Sequence, residues 1–346
     1  MFIREKCAIF AVHANRMKTT MKKEDLRIVY MGTPEFAVES LKALVEGGYN
    51  VVGVVTMPDK PMGRHGSVLQ PSPVKQYAQE HGLRVLQPER LKDETFVSEL
   101  RSLRADLQIV VAFRMLPEVV WAMPPMGTFN LHASLLPQYR GAAPINWAVI
   151  NGEKETGITT FFLQHEIDTG RIIQQVRVPI AETDCVGDVH DRLMMLGAQL
   201  VTETVDHILA GTVQPIDQST LLSPTEDLKP APKIFHETCR ILWKNPVRQV
   251  YNFVRGLSPY PAAWTELSMK DGRILSTKIY RAKPCSDHPV LQSGTLQTDA
   301  RTYLRVACAD GWLDILELQI AGKRRMPIAD FLRGFNTADM QGFIDT

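Results

Sequence analysis

Asn130 and His132 stand two residues apart at the end of an apolar run, and Asp168 follows a short way downstream in Asp168-Thr169-Gly170. An amide, an imidazole and a carboxylate are the groups needed to move an acyl group onto an amine without a covalent enzyme intermediate. The amide and imidazole donate hydrogen bonds to a carbonyl oxygen as it gathers charge; the carboxylate orients the imidazole or takes a proton. On a β-strand, residues two apart face the same side, so Asn130 and His132 can act on one atom. Each piece also has a plain structural reading: Asn-x-His can be a turn cap and a packed histidine, and Asp-Thr-Gly a hairpin turn. The loop Ser134-Leu135-Leu136-Pro137, followed by Tyr139-Arg140-Gly141-Ala142-Ala143-Pro144, tips the balance. It is apolar where an exposed loop would be polar, which suits the lining of a site for a flat apolar ligand. His165 lies an odd three residues before Asp168, so a continuous strand would turn it to the opposite face, and a surface position is expected.

The elements that must hold these groups follow from the hydrophobic pattern. Short β-branched runs at 27–31, 51–56, 107–112 and 128–131 alternate with amphipathic stretches at 34–46, 73–81 and 186–209. Further strands are expected at 158–163 and 172–178, on either side of Asp168. Apolar strands separated by helices indicate a parallel sheet covered on both faces, a Rossmann-like α/β domain. In such sheets ligands bind beyond the carboxyl ends of the strands, where Asn130 and His132 fall. The first turn, Met31-Gly32-Thr33-Pro34-Glu35, reads as a helix start with Thr33 as cap and Pro34 at the first helical position. It carries one glycine and lacks the Gly-x-Gly-x-x-Gly dinucleotide pattern.

Past residue 210 the texture changes. Ser223-Pro224-Thr225 and Lys229-Pro230-Ala231-Pro232-Lys233 mark a linker. A helix at 246–257 and short strands at 263–267, 273–281, 294–298, 303–307 and 312–319 follow, punctuated by Asp-Gly turns, the pattern of a small OB-like β-barrel. The expected organisation is an N-terminal extension (1–20), an α/β catalytic domain (21–210), a linker (211–233) and a C-terminal barrel (234–346).

The five cysteines are scattered, with no Cys-x-x-Cys pair, which argues for a reducing cytoplasm and against a zinc or disulfide framework. No convincing metal-ligand set is present. A net charge of +1 hides an asymmetry: residues 233–346 hold 16 basic against 11 acidic residues, leaving 23 against 27 elsewhere. A basic C-terminal third suggests a polyanionic partner, although a solvated basic face would look the same. Lys323-Arg324-Arg325 is its densest cluster. No heptad pattern is sustained, so a monomer is expected.

Taken together, Asn130-x-His132-x-Ser134-Leu135-Leu136-Pro137, Arg140-Gly141-Ala142-Ala143-Pro144 and Asp168-Thr169-Gly170 resemble the folate-dependent formyltransferases. The likeness extends to Met31-Gly32-Thr33-Pro34-Glu35-Phe36-Ala37, to Pro58-Asp59-Lys60-Pro61-Met62-Gly63-Arg64 and to Pro71-Ser72-Pro73-Val74-Lys75, and is greatest to the members that formylate methionine on an initiator tRNA. The resemblance implies 10-formyltetrahydrofolate as formyl donor and methionyl initiator tRNA as acceptor, in translation initiation. It implies catalytic roles for Asn130, His132 and Asp168, with Ser134, Leu135, Leu136 and Pro137 lining the folate site and residues 110–116 near the pterin. Arg64 would read the tRNA acceptor end, and Lys323, Arg324 and Arg325 would touch tRNA phosphates. Members acting on amino-sugar nucleotides or on glycinamide ribonucleotide share the same three polar residues, and a non-catalytic tRNA-binding protein is the alternative from another class. The glycinamide enzymes are usually a single domain lacking such a barrel, and a sugar-nucleotide enzyme has no need of the basic charge.

Overall fold

A computed structural model describes residues 21–62, 68–222, 227–285 and 292–345. The expected extension at 1–20, Arg64 and residues 223–226 of the linker lie outside the described residues. Contacts gather the chain into two bodies. The first takes the chain up to His132, Ile158–Val176 and Leu193–Thr225; the second takes Ala133–Gly157, Arg177–Arg192 and the chain from Glu226 on. Segments 133–157 and 177–192, which the sequence groups with the α/β part, thus belong to the second body.

In chain order the α/β part begins with β1 (Ile28–Gly32), α1 (Phe36–Glu46), β2 (Val51–Val55), the short hairpin β3 (Lys60–Met62) and β4 (Val68–Gln70), then α2 (Pro73–Glu80). It continues through β5 (Val85–Leu86), α3 (Glu94–Ser102), β6 (Leu107–Val111), the one-turn α4 (Glu118–Trp121) and β7 (Thr128–His132). After α5 (Pro144–Ile150) come β8 (Glu155–Phe162), β9 (Ile172–Pro179) and the 25-residue α6 (Val186–Ala210). The sheet runs β5-β2-β1-β6-β7-β8-β9. Pairing is parallel from β5 through β7 and antiparallel between β7 and β8. The inner strands β1 and β6 are mostly apolar because both faces are covered: all five residues of each are buried. Val29, Met31, Val55, Leu100 and Val110 share one core cluster.

The first turn departs from the sequence expectation. Helix α1 starts at Phe36, without a side-chain cap, and the hydroxyl of Thr33 is buried with no hydrogen-bond partner. Ala37 N–H donates to Pro34 C=O and Val38 N–H to Glu35 C=O, a tight i to i+3 turn that delays the α-helical ladder by two residues. Elsewhere the expected elements shift only at their ends; Ser72, for example, caps α2 by accepting from Lys75 N–H.

The second body is built on α7 (Val247–Leu257), β10 (Ala263–Met269), β11 (Ile274–Cys285), β12 (Leu296–Thr298), β13 (Leu304–Ala307), β14 (Trp312–Ile320), β15 (Met326–Pro327), α8 (Ile328–Gly334) and β16 (Met340–Phe343). The strands form one antiparallel sheet, β12-β13-β14-β11-β10-β16, with β15 on β14. Phe343 N–H donates to Gly294 C=O just before β12, drawing the two edge strands together into a nearly closed barrel. Its core joins Val250, Val254 and Leu257 of α7 to Ile279, Val306, Leu313 and Leu318, with Trp243 stacked on Phe343 at 5.3 Å. The proline-rich stretch is ordered at 229–232. Lys229 C=O accepts from Tyr139 N–H, Ala231 N–H donates to Arg140 C=O, and Ala231 C=O accepts from Ala143 N–H. Pro230 and Pro232 lack donors, yet Lys229 and Ala231, which alternate with them, keep theirs, and this alternation lets a Pro-rich segment line up beside a loop.

Candidate functional site

The first body positions the three polar residues. Along β7, Phe129 (0% exposed) and Leu131 (3%) anchor the strand, and the alternation sends Asn130 and His132 the other way. Val110 of β6 is level with Asn130, and His132 is paired with Thr159 of β8. The chain leaves β6 at Ala112 with a φ of 47°, which ends the strand at the level of His132. The imidazole is 7% exposed and meets the edge of the Phe161 ring at 6.5 Å. The amide oxygen of Asn130 is buried and accepts no hydrogen bond. A buried acceptor without a protein partner is costly unless something else fills it.

Asp168 reaches the same place from the β8–β9 loop. Its Oδ2 lies 3.9 Å from His132 Nδ1, an ion-pair distance longer than a hydrogen bond, and its side chain is 11% exposed. Asp168 sits in the left-handed region with a φ of 55°, a conformation few non-glycine residues adopt. Two features hold it there. A Cβ on Gly170 would stand 1.7 Å from the Phe162 carbonyl oxygen, so only glycine allows the loop to close onto β8. Gln218, itself 2% exposed, donates through Nε2 to both Asp168 C=O (2.8 Å) and Gly170 C=O (2.7 Å). The two amide hydrogens of one side chain therefore clamp the loop from both sides of Thr169. Nothing in the sequence around Gln218 signals this; its partners lie about fifty residues away in number.

The other expected site residues fall as follows. His165 is exposed, pairs with Glu118 at 3.4 Å and meets Trp121 edge-on, the surface position expected of it. Arg114 fastens the segment after β6 by donating to the carbonyls of Glu89 and Pro88. In the second body Ser134 (0% exposed) closes its loop by donating to Gln138 C=O at 2.7 Å, and Leu136 is 2% exposed. Lys323 and Arg324 are exposed in the turn between β14 and β15. Arg325 is engaged: it forms a two-pronged ion pair with Glu317, both bonds 2.7 Å, and lies 4.2 Å over the Tyr280 ring.

Two concavities of about 400 and 660 Å3 belong to the second body, and neither is lined by Asn130, His132, Asp168 or residues 134–137. Among the described residues no helix is long and apolar enough to cross a membrane.

A parallel sheet carrying an amide, an imidazole and a carboxylate at its carboxyl edge, followed by an antiparallel barrel, has counterparts among known proteins. Residues 26–205 match the formyl transferase family and residues 233–336 its C-terminal domain, and the chain belongs to that family. A sugar 3N-formyl transferase, WlaRD, shares the fold at a TM-score of 0.60 and 17% identity, covering 86% of this chain and 99% of the other. The sequence relatives narrow the branch to the methionyl-tRNA formyltransferases. That of Parabacteroides distasonis is 68% identical over 315 residues, 91% of this chain and 97% of the relative. That of Phocaeicola vulgatus is 69% identical over 319 residues, 92% of this chain and 98% of the relative.

Proposed function

We propose that this protein transfers a formyl group from 10-formyltetrahydrofolate to the α-amine of methionyl initiator tRNA. The observation that carries the reading is near-full-length identity of 68% and 69% to relatives bearing that name. The approach of His132 to Asp168 and the unfilled amide oxygen of Asn130 support it chemically.

In the proposed reaction the neutral amine attacks the formyl carbon, forming a new C–N bond as charge gathers on the carbonyl oxygen. The Asn130 amide and a protonated His132 donate to that oxygen; one such donor is worth about 3–4 kcal/mol of barrier. The amide oxygen of Asn130 accepts from the incoming amine. Asp168 orients His132 and takes a proton from the amine, directly or through a water. The bond from the formyl carbon to the folate nitrogen then breaks, and the proton taken from the amine passes to that nitrogen. Ser134, Leu135, Leu136 and Pro137 are assigned to the folate side.

In this assignment residues 21–210 form the catalytic domain, 211–233 the linker and 234–346 the tRNA-binding domain, with Arg64, Lys323, Arg324 and Arg325 on the tRNA. The protein acts as a cytoplasmic monomer. The test is incubation with labelled 10-formyltetrahydrofolate and, separately, methionyl initiator tRNA, an amino-sugar nucleotide or glycinamide ribonucleotide. Label on the tRNA alone is expected; label on a small-molecule amine instead would overturn the reading.

A further inference from the structure

The larger concavity of the second body, about 660 Å3, is bordered by Tyr251, Arg255, Tyr280, Arg281, Lys283 and Arg325. Its volume is that of a site for a small ligand or a single nucleotide unit. Arg255 is its most informative wall. The residue is 6% exposed, yet its guanidinium donates only to neutral acceptors: Nε to Asn252 Oδ1 at 2.9 Å and Nη1 to Asp184 C=O at 3.0 Å. The carboxylates nearest it are already engaged, Glu182 with Arg248 and Asp184 with Arg192. A buried cation without a carboxylate of its own is costly, and an anion brought beside it would offset that cost.

Two more cations face the same space. Arg281 and Lys283 are exposed and make no ion pair among the described residues. Both lie on β11, where the register against β14 shifts on either side of Arg281. Such bulges re-aim side chains beside functional sites. Arg325 is spent on Glu317 and covers the Tyr280 ring, so it forms a wall and leaves the free charge to its neighbours. Two acids also lie on the rim, both hydrogen-bonded: Asp188 accepts from Cys185 N–H at 2.8 Å, and Asp191 lies 2.9 Å from His190 Nδ1; the three cations outnumber them.

We propose that this concavity seats a phosphate of an RNA backbone, with Arg255 as the fixed forked donor and Arg281 and Lys283 supplying the remaining charge. The inference rests on the tRNA-directed reading above and deepens it. It moves the main phosphate contact of the second body from the exposed 323–325 turn to a built site, which shares no residue with Asn130, His132 and Asp168. A planar guanidinium held by two hydrogen bonds presents its remaining edge in a set direction, which suits bidentate phosphate recognition.

The test uses the full chain and Arg281→Gln/Lys283→Gln, both at exposed positions, with Arg255→Lys as a second variant that keeps charge and loses the fork. Thermal melting verifies folding. Affinity for methionyl initiator tRNA is measured across a salt series. Losing the charge that neutralises one phosphate should reduce the log–log salt slope by about 1 and weaken binding about 5-fold near 0.15 M salt. The kcat at saturating tRNA should stay within about twofold, since a contact that only positions the RNA is absent from the chemical step. Wild-type slope and affinity in the double variant, alongside normal tRNA formylation by the parent, would overturn this proposal alone. Failure of the parent to bind or formylate the tRNA would remove the reading beneath it as well. Calorimetric titration of pyrophosphate separates the remaining source: pyrophosphate binding lost in the double variant with the tRNA slope unchanged would assign the site to a small phosphate and overturn the RNA assignment.

Discussion

Replacing Gln218 by Leu should release the loop that carries Asp168 and, with it, the chemistry proposed for that carboxylate. The side chain is buried, and its one nitrogen spans the carbonyls of Asp168 and Gly170 at 2.8 and 2.7 Å. Leucine fills similar space and donates nothing, so both carbonyls lose their partner in a place with little water. Two lost hydrogen bonds with their acceptors left partly buried cost about 2–4 kcal/mol. Asp168 also carries a φ of 55°, whose strain of about 1 kcal/mol the clamp then no longer offsets. The loop should relax and carry the carboxylate away from His132. A displacement near 1 Å at a reacting group costs about 100-fold in rate. Urea unfolding should therefore show the stability loss, and steady-state formylation a kcat down about 100-fold with the KM for tRNA nearly unchanged. A variant that unfolds within about 0.5 kcal/mol of the parent and turns over at the parental rate would refute the clamp.

Other outcomes follow from named residues. Asn130→Ala and Asp168→Ala should each lower formyl transfer by about 10²–10⁴ with folding intact, as read by kcat/KM and circular dichroism. Lys323→Ala/Arg324→Ala, on an exposed turn, should cost tRNA affinity only modestly compared with Arg281→Gln/Lys283→Gln, as competition binding would show. Burial pushes the Cys308 thiol up to about 12, so it should resist alkylation at pH 8 in the folded protein and react on unfolding. The linkage has a definite sign: because the folded thiol holds its proton longer than the unfolded one, its contribution to stability is complete below about pH 8.5 and declines above it. Urea midpoints of the parent and Cys308→Ser between pH 7 and 10 measure that decline.

The strands were legible because a parallel sheet covered on both faces demands mostly apolar runs, and β1 and β6 are such runs, broken only by Gln108. The Asn130 and His132 pair was legible because β7 departs from that pattern, its polar residues alternating with Phe129 and Leu131. The barrel strands were legible from alternation and Asp-Gly turns, with β11 extending to Cys285, past the expected residue 281. What escaped the sequence was long-range or local in the wrong way. Gln218 acts on a loop about fifty residues earlier. Thr33 has the composition of a cap, but the tight turn at Pro34 takes its place. The stretch at 229–232 has the composition of a free linker, yet its alternate N–H groups find partners in the loop after β7. Arg255 looks like one more helix arginine until its burial and its neutral partners are seen together.

The most direct measurement is single-turnover formyl transfer from 10-formyltetrahydrofolate to methionyl initiator tRNA by His132→Ala, with both substrates saturating. Loss of the imidazole should slow the chemical step by about 10²–10³ while the tRNA still binds. Transfer at the parental rate would contradict the assignment of His132, Asn130 and Asp168 to a common catalytic centre.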